Sequence, residues 1–336
     1  MVAQHDTLSE VLRTVRLRGA LFYDIHGGPA WAAEAPPAIE IASAVMPGAG
    51  HVMEYHMVTR GRAWAAVIGE APVPLETGDI VVFPHGDAHT ISSAPDLRPP
   101  PANVDWHIAT ARAPKPIPVA LEGGGMMVGS AESAAVAAAT VACGFLGCDV
   151  RPFNPLVESL PRLLHLPATG DGWDLHAVRQ AVRESQDRRP GAEAVLERLS
   201  ETMFVDAVRR YIDAMPPGAT GWLAGVRDEC VGAALALIHA SPGEEWTIEG
   251  LGTRVGLSRS ALHERFTRMV GMAPMQYLTR WRMQVAATRL LETRDPVLVI
   301  AQSLGYGSEA AFSRAFRRVV GAAPSEWRRR RAPERA

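Results

Sequence analysis

Glu54 and His56 stand two residues apart in MEYHM, a spacing that puts both side chains on one face of an extended strand. Carboxylate and imidazole are ligands for Zn²⁺ or Fe²⁺, and they also serve as hydrogen-bonding groups for a small molecule. Two more imidazoles, His85 and His89, follow in GDIVVFPHGDAH. The thiols Cys143, Cys148 and Cys230 are too few and too irregularly spaced for a disulfide framework or a zinc finger. Buried strand cysteines are the reading for Cys143 and Cys148, because a reactive thiol wants basic neighbours and only Arg151 is close in sequence. A different chemistry gathers near the end of the chain, where arginine recurs on two similar stretches. Guanidinium groups there would meet phosphates and base edges.

Those two stretches are GLSRSALHERFTRMVGMAP, from Gly256 to Pro274, and GYGSEAAFSRAFRRVVGAAP, from Gly305 to Pro324. Phe266, Gly271 and Pro274 return as Phe316, Gly321 and Pro324, each 50 residues on. Ile248, Leu251 and Val255 share one helical face ahead of Gly256, and Val297, Ile300, Ala301 and Leu304 do so ahead of Gly305. Each glycine suits the positive φ of a sharp turn, and Ser258 and Ser308 are placed to cap the helices that follow. Leu262, Phe266 and Met269 point inward in the first of these helices, as do Ala311, Phe312, Ala315 and Phe316 in the second. A helix, a tight turn and a helix form a unit whose second helix fits a DNA major groove. Subtracting the inward face leaves Arg259, Ser260, His263, Glu264 and Arg268 outward in one copy. Glu309, Ala310, Ser313, Arg314 and Arg317 are outward in the other.

The net charge of −2 conceals an asymmetry: residues from Gly221 onward carry +6 and the first 220 residues −8. A basic final third suits a polyanion partner for that region, although a solvated arginine-rich surface would look the same. The front half has many short apolar runs separated by Gly and Pro. MEYHMVTRGRAWAAVIG reads as a hairpin that turns at Arg60 and Gly61. Pro155 to Met215 reads as helices, with Leu196, Leu199, Met203, Ala207 and Tyr211 on one stripe. That stripe fits an antiparallel dimer seam or packing on the front half. PPGATG, Pro216 to Gly221, reads as a linker. No apolar run is long enough to span a membrane and the N-terminus lacks a signal peptide's apolar core, so a reduced, cytoplasmic protein is expected.

From about Arg227 to Arg331 the chain closely resembles the AraC/XylS family of bacterial transcription regulators. The matching residues run from Phe266 to Pro274, then Tyr277, Leu278, Arg282, Ala286, Leu290 and Leu291, then Ile300, Ala301, Gly305 and Tyr306, Phe312 to Phe316, and Pro324. The resemblance implies two helix-turn-helix units joined by one long helix, roughly Pro274 to Thr293, with recognition helices one DNA turn apart. It places base reading on Ser260, His263, Glu264, Glu309, Ala310, Ser313 and Arg314, where the glutamates depart from the arginine or glutamine of some relatives. Arg282, Arg318 and the run Arg328 to Arg331 fall where phosphate contacts are expected. Gly78, Pro84, Gly86 and His89 fit GxxxxxPxGxxH, the second motif of the cupin family of small β-barrels. The stretch from LSEVLRTVRLRG to Ala142–Gly144 looks like the cupin-type sensors of one branch of these regulators.

The cupin likeness implies that Glu54, His56, His85 and His89 bind an effector. Glu54, His56 and His89 would be the metal ligands if Zn or Fe were present, yet the upstream histidine pair is missing, with only His51 in MPGAGHVMEY. No cofactor is therefore expected. The whole reading is an α+β multidomain chain: a cupin-like β-barrel sensor over 1–150, a helical linker and dimerisation region over 151–220, and an all-α DNA-binding domain with two helix-turn-helix units over 221–336. It implies a non-enzymatic regulator, an activator and homodimer, whose partners are duplex DNA, a small-molecule effector and RNA polymerase. Two alternatives stay open: a cupin metalloenzyme with a helical appendage, and a DNA-binding protein whose barrel serves only dimerisation.

Overall fold

The computed structural model describes residues 6–122, 125–129, 135–168, 176, 179 and 190–329. Its chain divides into two compact units that interleave in sequence. One holds Leu17–Cys148 and Leu160–Asp213, and the other holds the residues up to Arg16, Asp149–Ser159 and those from Ala214 onward. The front segment read as one block over 1–150 therefore sends its first helix, α1 (Thr7–Thr14), to fold with the C-terminal helices.

The first unit is built on strands β1 (Arg18–Gly27), β2 (Ala32–Ala35), β3 (His51–Arg60), β4 (Ala63–Val67), β5 (Val73–Leu75), β6 (Ile80–Phe83), β7 (His89–Ser92), β8 (Ile117–Glu122), β9 (Gly125–Val128), β10 (Ala139–Cys148) and β11 (Leu164–Leu166), with helices α2 (Ala38–Val45) and α3 (Val104–Thr110). The strands pair into a seven-stranded sheet, ordered β11-β6-β3-β10-β1-β8-β9, and a four-stranded sheet, ordered β2-β7-β4-β5. This corrects the expected closed barrel: the hydrogen-bond ladders form two sheets whose facing sides enclose the core. Phe22, Tyr23, Trp31, Phe83 and Phe145 are its aromatic members. β3 lies between β6 and β10, so nearly every residue along it is buried. Its even-numbered residues Val52 and Val58 belong to that core, and Glu54 and His56 share their face.

Part of the region read as helical is a strand. Leu164–Leu166 pairs with β6, Leu164 opposite Val82, because three residues of apolar LLHL satisfy an otherwise open sheet edge. A 23-residue helix, here α5 (Ala192–Ala214) after the short α4 (Pro155–Ser159), lies on β1. The approach is close at Gly19, where an added Cβ would stand 2.5 Å from the Ser200 Cβ and 2.8 Å from the Glu197 carbonyl. Ser200 also hydrogen-bonds the buried Tyr55 hydroxyl at 2.7 Å. Of the proposed stripe, Leu196, Met203 and Ala207 are buried while Leu199 and Tyr211 are half-buried, so most of it is spent on the chain's own packing.

The second unit is helical. After α6 (Trp222–Arg227) and α7 (Glu229–Ala240) come two similar pairs, α8 (Ile248–Arg254) with α9 (Arg259–Val270), and α11 (Val297–Ser303) with α12 (Glu309–Val320). The 19-residue α10 (Pro274–Glu292) joins the pairs and α13 (Pro324–Arg329) closes the second. The repeat in sequence is a repeat in local chemistry. Ser258 Oγ accepts from the Ala261 amide and Ser308 Oγ from the Ala311 amide, capping α9 and α12. Gly271 and Gly321 end those helices at φ 81° and 82°, a conformation strained for any residue with a Cβ. Met283, Ala286, Ala287 and Leu290 of α10 pack with Ile300, Phe312, Phe316 and Trp327 in one core. Phe153 is buried and sets its ring edge-on to Tyr277 at 5.5 Å, while its amide donates to buried Gln284 at 2.9 Å. That contact explains why 149–159 fold with the C-terminal helices.

Candidate functional site

The two capped helices present the predicted outward residues to solvent. Arg259, Ser260, His263, Glu264 and Arg268 of α9 are exposed, as are Glu309, Ala310, Arg314, Arg317 and Arg318 of α12; Ser313 is half-buried. Arg259 pairs with Glu249 at 2.9 Å and Arg268 with Glu264 at 3.7 Å, both exposed pairs that contribute little to stability and can exchange for phosphate. Among the described residues Arg314, Arg317 and Arg318 form no ion pair, so α12 carries the less encumbered positive charge. Arg330 and Arg331 of the terminal run lie outside the described residues.

Arg282 is a correction. Its guanidinium donates to the carbonyls of Pro242 at 2.6 Å and Glu244 at 2.8 Å and stands over the Tyr306 ring. It ties the loop after α7 to α10 and is committed inside the unit, where the sequence reading had it on phosphate. Arg265, on α9 beside the outward residues, does similar work: it holds Asp228 at 2.7 Å, and Asp228 in turn caps α7. Neither tie has a local sequence signal, since each joins residues about 40 positions apart.

The sheet unit holds the second candidate. Glu54, His56 and His89 are 5%, 4% and 1% exposed, and their ligand atoms lie within 4.8 Å of one another. β3 supplies the first two, and β7 begins at His89 just after the Pro84–Gly86 turn. His85 is not among them. Its ring bonds the Leu160 carbonyl at 2.9 Å, which removes it from the predicted effector set as a tie to the segment after α4. Cys143, read from sequence as a buried strand cysteine, joins the cluster because β10 pairs with β3 at Cys143 and His56.

The hydrogen bonds fix the tautomers. His89 Nδ1 donates to the Asp87 carbonyl at 2.9 Å, so its Nε2 is the acceptor for His56 Nε2 at 2.7 Å. His56 Nδ1 then accepts from the Cys143 thiol at 2.7 Å. Burial holds both imidazoles neutral, lowering His89 to about 4 and His56 well below its ordinary value, and pushes the Cys143 thiol well up. The Glu54 carboxyl is pushed up to about 8 by the same cause, and its Oε1 has no hydrogen-bond partner. An orphaned buried oxygen beside two imidazoles is a group that waits for a partner.

Comparison with known proteins places both candidates in context. The family described as Cupin matches residues 6–213, and the family described as Helix-turn-helix domain matches residues 251–330. An AraC-like transcription regulator of Streptomyces lividans is 32% identical over 327 residues, covering 96% of this chain and 98% of that one. One of Streptomyces antibioticus is 31% identical over 332 residues, covering 98% and 100%. Among solved structures, the DNA-binding domain of AdpA, a global transcriptional factor, in complex with a target DNA, is 32% identical over 32% of this chain and 98% of that chain, with a TM-score of 0.29.

Proposed function

The chain belongs to the AraC-like transcription regulators, with a cupin domain ahead of a helix-turn-helix domain, and we propose that it reads an asymmetric DNA site with two helix-turn-helix units while answering to a small molecule. The observation that carries the two-unit reading is the matched pair of capped helices, Ser258 to Gly271 and Ser308 to Gly321, each with an exposed polar face. Base contacts fall on the outward residues of both, and α10 sets their spacing. The sensing region is 1–150, the region that links and dimerises is 151–220, and DNA binding belongs to 221–336. The dimer would use surface that α5 leaves outside its own packing. An activator that contacts RNA polymerase in the cytoplasm fits the relatives' naming as transcription regulators, and no described helix is long and apolar enough to cross a membrane. The same naming favours a regulator over a cupin enzyme.

Effector recognition draws on Glu54, His56 and His89, whose polar atoms converge where the cupin motif places them. The reading needs no cofactor. If an ion occupies the cluster, two imidazoles and a carboxylate suit Zn²⁺ or Fe²⁺, and His56 must first give up the Nε2 proton it now donates to His89.

Two arginine substitutions test the DNA-reading assignment. Arg314→Ala should weaken binding to a selected DNA site by about 1–3 kcal/mol and relax preference at one or two base pairs, with folding unchanged. Arg282→Ala should instead lower the stability of the helical unit by about 1–3 kcal/mol, because two carbonyls lose their donor. Equal weakening of specific and random DNA by Arg314→Ala would contradict base reading there.

A further inference from the structure

A cleft of about 330 Å³ opens between the start of β1 and the N-terminal half of α5, separate from the Glu54–His56–His89 cluster. Its volume lies within the range of small-molecule sites, roughly 300–1,000 Å³. The two walls carry opposite charge. Arg18 and Lys115 line the sheet side, and Glu193 and Glu197, one helical turn apart, line the α5 side. Phe22 and Leu196 are among the apolar residues between them. Lys115 is the only lysine of the 336-residue chain, and its Nζ stands 4.5 Å from the centre of the Phe22 ring. Nearby, Glu201 is taken up by Arg198 at 3.0 Å. Among the described residues no ion pair crosses the cleft from Arg18 or Lys115 to Glu193 or Glu197, although all four line it.

Unpaired charges of opposite sign across a gap of this size complement a guest that bears both. We propose that this cleft binds a small zwitterionic amino carboxylate, its carboxylate toward Lys115 and Arg18 and its ammonium toward Glu193 and Glu197. A plain carboxylate would leave the two glutamates facing its charge, and a plain amine would leave the two cations unanswered. The α5 helix continues in sequence into the Pro216–Gly221 segment that precedes the DNA-binding helices, so a guest held against it can bias DNA affinity if it favours one of two α5 positions. The role as effector site rests on the ligand-responsive reading above; the binding site itself does not.

The lone lysine provides the measurement. Full-length protein is incubated singly with each of the common free amino acids and with γ-aminobutyrate, then labelled with trinitrobenzenesulfonate. Lys115 modification is followed by mass spectrometry against a control holding the same concentration of ethanolamine, which corrects for reagent that the probe's own amine consumes. At least one probe should protect Lys115 and bind in calorimetry. Lys115→Met and Glu197→Gln should each raise its Kd about 10- to 100-fold, the cost of losing a charge-assisted hydrogen bond. Glu197 is exposed, so that variant tests the site without burdening the fold. Failure of every probe to protect Lys115, or binding unchanged in both variants, overturns the proposal. A probe that binds here without altering DNA affinity supports the site, overturns its role as effector site and leaves the reading at Glu54, His56 and His89 intact. A molecule that alters DNA affinity while Lys115 stays fully reactive places the effector elsewhere, overturning the cleft's effector role and leaving the ligand-responsive reading intact.

Discussion

Replacing Phe316 by alanine should cost the helical unit about 3–5 kcal/mol and lower the temperature at which DNA binding is lost. The side chain is 0% exposed, lies 5.6 Å from the Phe312 ring and 6.3 Å from the Trp327 ring, and joins the core that α10 shares with the second helix pair. Truncation removes the apolar contact and leaves a cavity that the two neighbouring rings can only partly fill. A domain typically holds about 5–15 kcal/mol in reserve, so a loss of this size consumes a large share. The neighbouring Arg317 is exposed, and Arg317→Ala should stay within about 0.5 kcal/mol of the wild type. Urea unfolding of both variants checks this: similar midpoints would mean that Phe316 is not part of a cooperative core.

The sheet unit should be most stable near pH 6.5 and weaken on both sides, for opposite reasons. Buried His89 and His107 are lowered from 6.5 to about 4, and His56 is lowered further. Below pH 6.5 the unfolded chain takes up protons that these folded imidazoles refuse, so their contribution falls as pH drops toward 4. Glu54 works the other way. Its folded carboxyl, raised from 4.5 to about 8, keeps a proton that the unfolded chain has released, so its contribution is complete below pH 4.5 and lost as pH rises through 8. Between 4.5 and 6.5 three histidines outweigh one glutamate. Above 6.5 the glutamate dominates, at about 1.4 kcal/mol per pH unit, or about 2 kcal/mol by pH 8. Thermal melts across this range should show the maximum, and Glu54→Gln should flatten its alkaline limb. An alkaline slope unchanged in Glu54→Gln would mean that Glu54 is not buried and protonated as described.

How much of this was legible in the sequence depended on how far apart the interacting residues lie. The duplicated helix pairs were readable because their signals are local: a serine cap, a 3.6-residue apolar period and a terminal glycine fall within about fifteen residues each time. The same locality made the outward faces readable. Strand alternation similarly placed Glu54 and His56 on one face. The misread residues are those whose partners lie far away in sequence. Arg282 looked like a surface cation until the Pro242 and Glu244 carbonyls claimed it. His85 sits in the right motif, yet its ring turns to Leu160, 75 residues on. Cys143 reached His56 only through the register of β10 on β3, which no local pattern fixes. The closed barrel was an inference from motif likeness, and hydrogen-bond closure is a property of all eleven strands at once.

The central claim is that one chain reads DNA with two recognition helices. The most direct measurement selects a binding site from random duplexes with the full-length protein and maps it by hydroxyl-radical footprinting, for wild type, a His263→Ala variant in α9 and an Arg314→Ala variant in α12. The account predicts two protected segments about 34 Å apart, centred on successive major grooves. His263→Ala should alter base preference in one segment and Arg314→Ala in the other. A single protected segment, or both substitutions altering the same base pairs, would contradict it.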